Sequence, residues 1–208
     1  MFKYIKNPSE IYARSFAIIK AEVDLSGVPV SSHAIATRII HSCGMVEVAQ
    51  DLVISENFVE TAAKALNAGK QIFVDTEMVR HGIITRQLAQ DNEIICTLNN
   101  PQAREIGIKF NITRSAAAVE LWLPNLKDAL VVIGNAPTAL FRLLEFIDAG
   151  AAKPACIIAM PVGFVGAAES KAELIADARG IPFVAIKGRK GGSAMASSVI
   201  NALTSDQR

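Results

Sequence analysis

The sequence predicts one α/β domain, with a mainly parallel central sheet flanked by helices. Three observations carry that expectation. Short apolar runs alternate with stretches of helical periodicity. The 208 residues are 51% hydrophobic and 20% charged, which supplies a sizeable core at a length suited to one domain. The apolar runs end in loops rich in glycine and polar residues, where open sheets place their ligand crevices.

The first helix opens at Pro8-Ser9 and extends to about residue 23. Tyr12, Phe16, Ile19 and Val23 fall on one of its faces. A second helix starts near Ser31 or Ser32, either of which is a capping residue type. Ala36, Ile39, Ile40 and Cys43 line its buried face, and Gly44 stops it. Buried strands are expected over 71–75, 93–97, 129–133, 155–160 and 182–186. Helices are expected after Thr113-Arg114-Ser115 and over 137–148, 167–178 and 192–203. No internal repeat or low-complexity segment interrupts the pattern.

Loops 75–80, 134–138, 161–166 and 187–193 all follow strands, so they form the expected ligand site. In the last of them, Gly188, Gly191 and Gly192 accompany Arg189, Lys190 and Ser193 just before a helix. Bare amides at a helix N-terminus beside cations suit an anion, and the bland alternative is a glycine-rich turn with solvated charges. Gly163 and Gly166 flank Phe164 and Val165 at the start of the preceding helix. They serve either close approach of a ligand or tight strand-to-helix packing. Arg114 is either a carboxylate binder or a surface arginine beside a capping serine.

Only three histidines are present: His33, His41 and His81. His33, Thr37 and His41 recur every four residues along the second helix and are expected on its polar face. The helix C-terminus favours the imidazolium of His41, while Arg38, three residues earlier, opposes it. A titration near neutrality results, as a general acid needs.

Composition excludes other classes. A net charge of +1 gives no sign of a nucleic-acid or membrane partner. Cys43, Cys96 and Cys156 are odd in number and widely spaced, which argues against a disulfide framework or a structural zinc, and a cytoplasmic location is expected. Cys96 and Cys156 read as core residues. The N-terminus has no signal-peptide pattern, and the most apolar stretch, 155–168, is broken by Pro161, Gly163 and Gly166. No Ser-His-Asp triad, Cys-His pair or carboxylate pair stands out.

With these residues in view, the chain resembles the precorrin-8X and cobalt-precorrin-8 methylmutase family over nearly its whole length. The marks are Arg14-Ser15-Phe16, residues 38–44 around His41, and 75–80 with Gly82-Ile83. They continue with 113–116, 135–140, 161–171 and 188–194. The resemblance implies a homodimer with sites near the subunit interface. It implies migration of a methyl group from C-11 to C-12 of a corrin macrocycle, formally a [1,5]-sigmatropic shift. The product is hydrogenobyrinic acid, or cobyrinic acid when cobalt is already present. The catalytic histidine falls on His41, and substrate-binding roles fall on Ser15 and Arg38. That role extends to Arg14, Thr76 and Arg114 and to the late loops at Gly163, Gly166, Gly188, Arg189, Gly192 and Ser193. The macrocycle is expected to rest on Met78, Val79, Phe164 and Val165. The migrating methyl is internal to the substrate, so no cofactor or metal is expected. The alternatives are an α/β enzyme acting on a nucleotide or sugar phosphate, and a non-catalytic corrinoid carrier.

Overall fold

The computed structural model describes residues 2–205. The chain runs through α1 (Pro8–Glu22), α2 (His33–Cys43), α3 (Val48–Asp51), β1 (Leu52–Ile54), α4 (Phe58–Asn67), β2 (Ile72–Val74) and α5 (Glu77–Gly82). It continues through β3 (Ile94–Cys96), α6 (Pro101–Phe110), α7 (Arg114–Glu120), β4 (Leu130–Ile133) and α8 (Pro137–Asp148). The last elements are β5 (Cys156–Ala159), α9 (Ala167–Ala176), β6 (Phe183–Ile186) and α10 (Ser193–Ser205).

The six strands form one sheet in the order β1-β6-β5-β4-β2-β3. All neighbours are parallel except β1, which runs antiparallel to β6 with Leu52 opposite Ile186. The five expected strands are therefore present, and the short edge strand β1 is an addition. Alternate strand residues feed two cores. Val74, Leu130, Val132, Ile158 and Val184 pack under Ile39, Phe58 and Val199. Phe73, Val131, Ile157 and Phe183 pack on the opposite face against Trp122, Leu140 and Leu174. Outside α2, Ile19 and Phe16 of α1 pack on Ile40 and Ala49 in a small third cluster.

Several helix ends differ from expectation. Asn7 caps α1, its side chain accepting from the Glu10 N–H. Ser32 occupies the N-cap position of α2, as expected, but a 3₁₀ turn over Val30–Ser32 leads straight into the helix and the Ser32 side chain makes no capping bond; among the described residues its buried hydroxyl has no partner. Thr113, rather than Ser115, caps α7 by accepting from the Ala116 N–H. Gly44 does end α2, in the left-handed region at φ 69°. Thr37 is buried rather than set on an open polar face, because α1 and α10 both pack against α2. The cysteines are all free. Cys156 is buried, and burial pushes its thiol up to about 12. Cys96 is half-buried against the first core.

Strand order reverses between β2 and β4, the usual crevice of such sheets. Here Asp75 fills it. Its carboxylate accepts from the backbone N–H groups of Gly134 (2.8 Å), Asn135 (2.9 Å) and Ala136 (2.7 Å). Burial pushes the Asp75 pKa up, and the three amides oppose that rise. Just beyond, Gly134 lies against α10 so closely that a Cβ there would stand 2.9 Å from the Ser193 Cα. Asp75→Asn is expected to cost about 3 kcal/mol, because an amide turns an N–H toward donors that need an acceptor. Urea denaturation measures it, and a midpoint like wild type would show that the three bonds add nothing.

Candidate active site

His41 sits in the last turn of α2, where α1 crosses it. Tyr12, Ser15 and Phe16 lie on one face of α1 at i, i+3 and i+4, and that face meets the imidazole. Ser15 Oγ and His41 Nδ1 are 2.8 Å apart. The Tyr12 ring lies 5.2 Å from the imidazole at a 31° tilt, and the Phe16 ring meets it edge-on at 5.3 Å. The ring is thus held on three sides, and among the described residues Nε2 has no hydrogen-bond partner.

Two effects push the His41 pKa below its ordinary value of 6.5: burial first, then the positive charge of Arg38. The Arg38 guanidinium lies 5.8 Å from the centre of the Tyr12 ring. Among the described residues, no carboxylate pairs with it. A free cation therefore stands beside a histidine that it helps to keep neutral.

His41 lines two open clefts. The larger, of about 490 Å³, runs between α2, α5 and α10 past Tyr12, Arg38, Ser42, Met78, Ser193, Ser197 and Asn201. The other, of about 370 Å³, lies on the far side of α1 and is lined by Ile11, Arg14, Ser15 and Ile18. No carboxylate among the described residues bonds to His41, so the Ser15–His41 pair lacks the orienting acid of a hydrolytic triad. In the tautomer where Ser15 Oγ accepts from Nδ1–H, Nε2 is an acceptor in the neutral ring and a donor once the ring is protonated.

A family model described as precorrin-8X methylmutase matches residues 10–205. The chain belongs to the precorrin-8X methylmutase family. Methylmutases of this family are isomerases of cobalamin biosynthesis that shift a methyl group within one molecule. The precorrin-8X methylmutase of Pseudomonas aeruginosa is 49% identical over 207 residues, covering 100% of both chains. The cobalt-precorrin-8 methylmutase of Salmonella typhimurium is 38% identical over 207 residues, covering 96% of each. The crystal structure of the Thermus thermophilus precorrin-8X methylmutase superposes with a TM-score of 0.85 at 33% identity, covering 94% of each chain.

The methylmutase fold brings Ser15, Arg38, Met78 and Ser193 to the clefts at His41, with Arg14 on the α1 side. It places other expected residues elsewhere. Val79 is fully buried under Gly134, and Thr76 is buried at the start of α5, so both support the site from beneath. Arg114 lines a separate cleft with Arg104 and Pro101. Phe164 and Val165 stand on a tip beyond β5, 84% and 89% exposed. Arg189 reaches that tip, its guanidinium 5.3 Å from the centre of the Phe164 ring. Gly163, Gly166, Gly188 and Gly192 all take positive φ, forming the turns that hold the tip and launch α10. Lys190 points away, toward Asp51 at 3.4 Å and Glu47 at 3.9 Å, and so leaves the anion-binding set expected of its loop.

Tyr12, which the sequence reading set only on one face of the first helix, lies against His41 and lines its cleft. Its i, i+3 relation to Ser15 was the available signal. The nucleotide or sugar-phosphate alternative, which the late glycine loops permitted, gives way to the family match; at the β2–β4 switch the backbone amides already bind Asp75.

Proposed function

We propose that the chain converts precorrin-8X to hydrogenobyrinic acid by moving the ring-C methyl group from C-11 to C-12, with His41 as proton donor and acceptor. The observation that carries this reading is the Ser15–His41 pair at the meeting of two clefts, beside Arg38, with which no carboxylate among the described residues pairs. Substrate carboxylates bind Arg38 and Arg14 and position ring C against Nε2. Protonation of the ring-C region by Nε2–H makes C-12 electron-demanding. The methyl migrates with its bonding pair, and the proton returns to Nε2. Throughout, Nδ1–H stays on Ser15 Oγ, which fixes the tautomer. Met78, 63% exposed in the cleft, offers an apolar rest for the macrocycle.

The 49% identity to a precorrin-8X methylmutase, against 38% to the Salmonella cobalt-precorrin-8 enzyme, supports the cobalt-free substrate. A homodimer is part of the proposal. Exposed Ile11 and Ile18 on α1 border the smaller cleft, an apolar surface that a second copy would cover. We also assign a cytoplasmic location; no helix of the described residues is long and apolar enough to cross a membrane.

The test is to mix the protein separately with precorrin-8X and cobalt-precorrin-8 and to follow the visible spectrum. Conversion of precorrin-8X is expected. Conversion of the cobalt form alone would change the branch. Binding without conversion of either would make the protein a carrier.

The pH profile follows from the site's charges. The acid form of His41 is needed, so kcat/KM is expected to fall as pH rises through a pKa below 6.5. Bound substrate carboxylates offset Arg38, so the corresponding fall in kcat is expected at higher pH. Profiles that stay flat between about pH 5 and 8 would remove His41 from the chemistry.

A further inference from the structure

Lys171, in the first turns of α9, is fully buried although its side chain carries a charge. Its ammonium donates to the Pro161 carbonyl at 3.1 Å and to the Lys190 carbonyl at 2.6 Å. Those carbonyls belong to the two late loops that follow β5 and β6. The loops also meet directly. Gly192 N–H donates to Met160 O at 2.8 Å, and Gly163 N–H donates to Arg189 O at 3.2 Å. At Gly191 the contact is so close that an added Cβ would meet the Met160 carbonyl oxygen and stand 2.6 Å from that of Pro161.

A buried ammonium is costly unless carbonyls replace its water. Burial pushes the Lys171 amine down to about 8, with Asp51 opposing. A methionine would fill the same slot without that cost. What the lysine adds is a single group bonded to both loops. One loop carries the Phe164–Val165 tip. The other leads directly into Ser193, in the wall of the His41 cleft.

We propose that Lys171 is a positioning residue that sets the two late loops, and with them the corrinoid-binding edge of the cleft. It touches no substrate and acts through the Pro161 and Lys190 carbonyls. The inference rests on the proposal that the cleft at His41 holds the macrocycle, with Ser193 in its wall.

Lys171→Met is expected to raise the KM for precorrin-8X and the Kd for hydrogenobyrinic acid about tenfold, with kcat at saturation within about threefold of wild type. A residue that only held the fold together would behave differently. Losing folded molecules lowers apparent kcat and leaves KM unchanged. Unchanged KM and Kd in folded Lys171→Met would overturn the proposal. If that variant does not fold, Gly191→Ala decides, since its methyl would press on the Met160 and Pro161 carbonyls and part the same loops. The same rise in KM is expected there, and a wild-type KM would overturn the proposal. Arg189→Ala separates the two claims. Weakened binding in Arg189→Ala beside wild-type binding in Lys171→Met would keep the loops in the site and remove Lys171. Wild-type binding in both would remove the loops as well.

Discussion

His41→Ala is expected to lower turnover of precorrin-8X by about 10²- to 10⁴-fold, the usual contribution of a general acid. Product affinity should change by less than about threefold, because the cleft walls stay in place. The imidazole is half-buried between Tyr12 and Phe16, so the truncated side chain leaves a small void beside α1 and no uncompensated charge. Ser15 loses its ring partner but keeps access to water from the α1-side cleft. Single-turnover spectroscopy with product titration measures both quantities. Wild-type rates would show that the proton comes from elsewhere.

Arg38→Ala is expected to act twice. A charge-assisted bond to a substrate carboxylate is lost, so corrinoid binding should weaken by about 10- to 100-fold. The guanidinium also depresses the His41 pKa, as the smaller of two causes after burial. Its removal should therefore move the fall in kcat/KM to higher pH. Equilibrium titration with hydrogenobyrinic acid checks the first effect, and the pH profile of the same variant checks the second. Unchanged affinity would take Arg38 out of the site. An unmoved profile would mean that its charge is screened from His41.

Much of the site was legible because it lies on two regular helices. Ser15 in α1, and Arg38 and His41 in α2, keep fixed spacings, and Gly44 marks where α2 ends. The relation between those helices was not legible. Nothing in the local pattern says that the Tyr12–Phe16 face would turn away from the main core to flank an imidazole. Val79 and Thr76 illustrate the same limit. They lie within two residues of Met78 in the chain, but the short helix α5 turns Met78 into the cleft and Val79 into the core. Among the fold elements, the five expected apolar runs were readable as strands. β1 was not, since it follows α3 with no intervening loop and its apolar residues merge with the helical pattern before them. α4 escaped notice because two of its four buried positions, Ala62 and Ala65, are alanines with little apolar surface. The burial of Lys171 had no local signal, although the residue closes the 161–171 family mark: a lysine in a first helical turn reads as solvated, and only the meeting of two distant loops buries it.

The central claim is that the methyl group moves within the substrate under the control of His41. The most direct measurement follows a ¹³C-labelled C-11 methyl of precorrin-8X by NMR, with wild type and with His41→Ala. Transfer of the label to C-12 by wild type, nearly absent in the variant over the same time, is the expected result. A label that stays at C-11 with folded wild-type protein, or moves equally fast without His41, would contradict it.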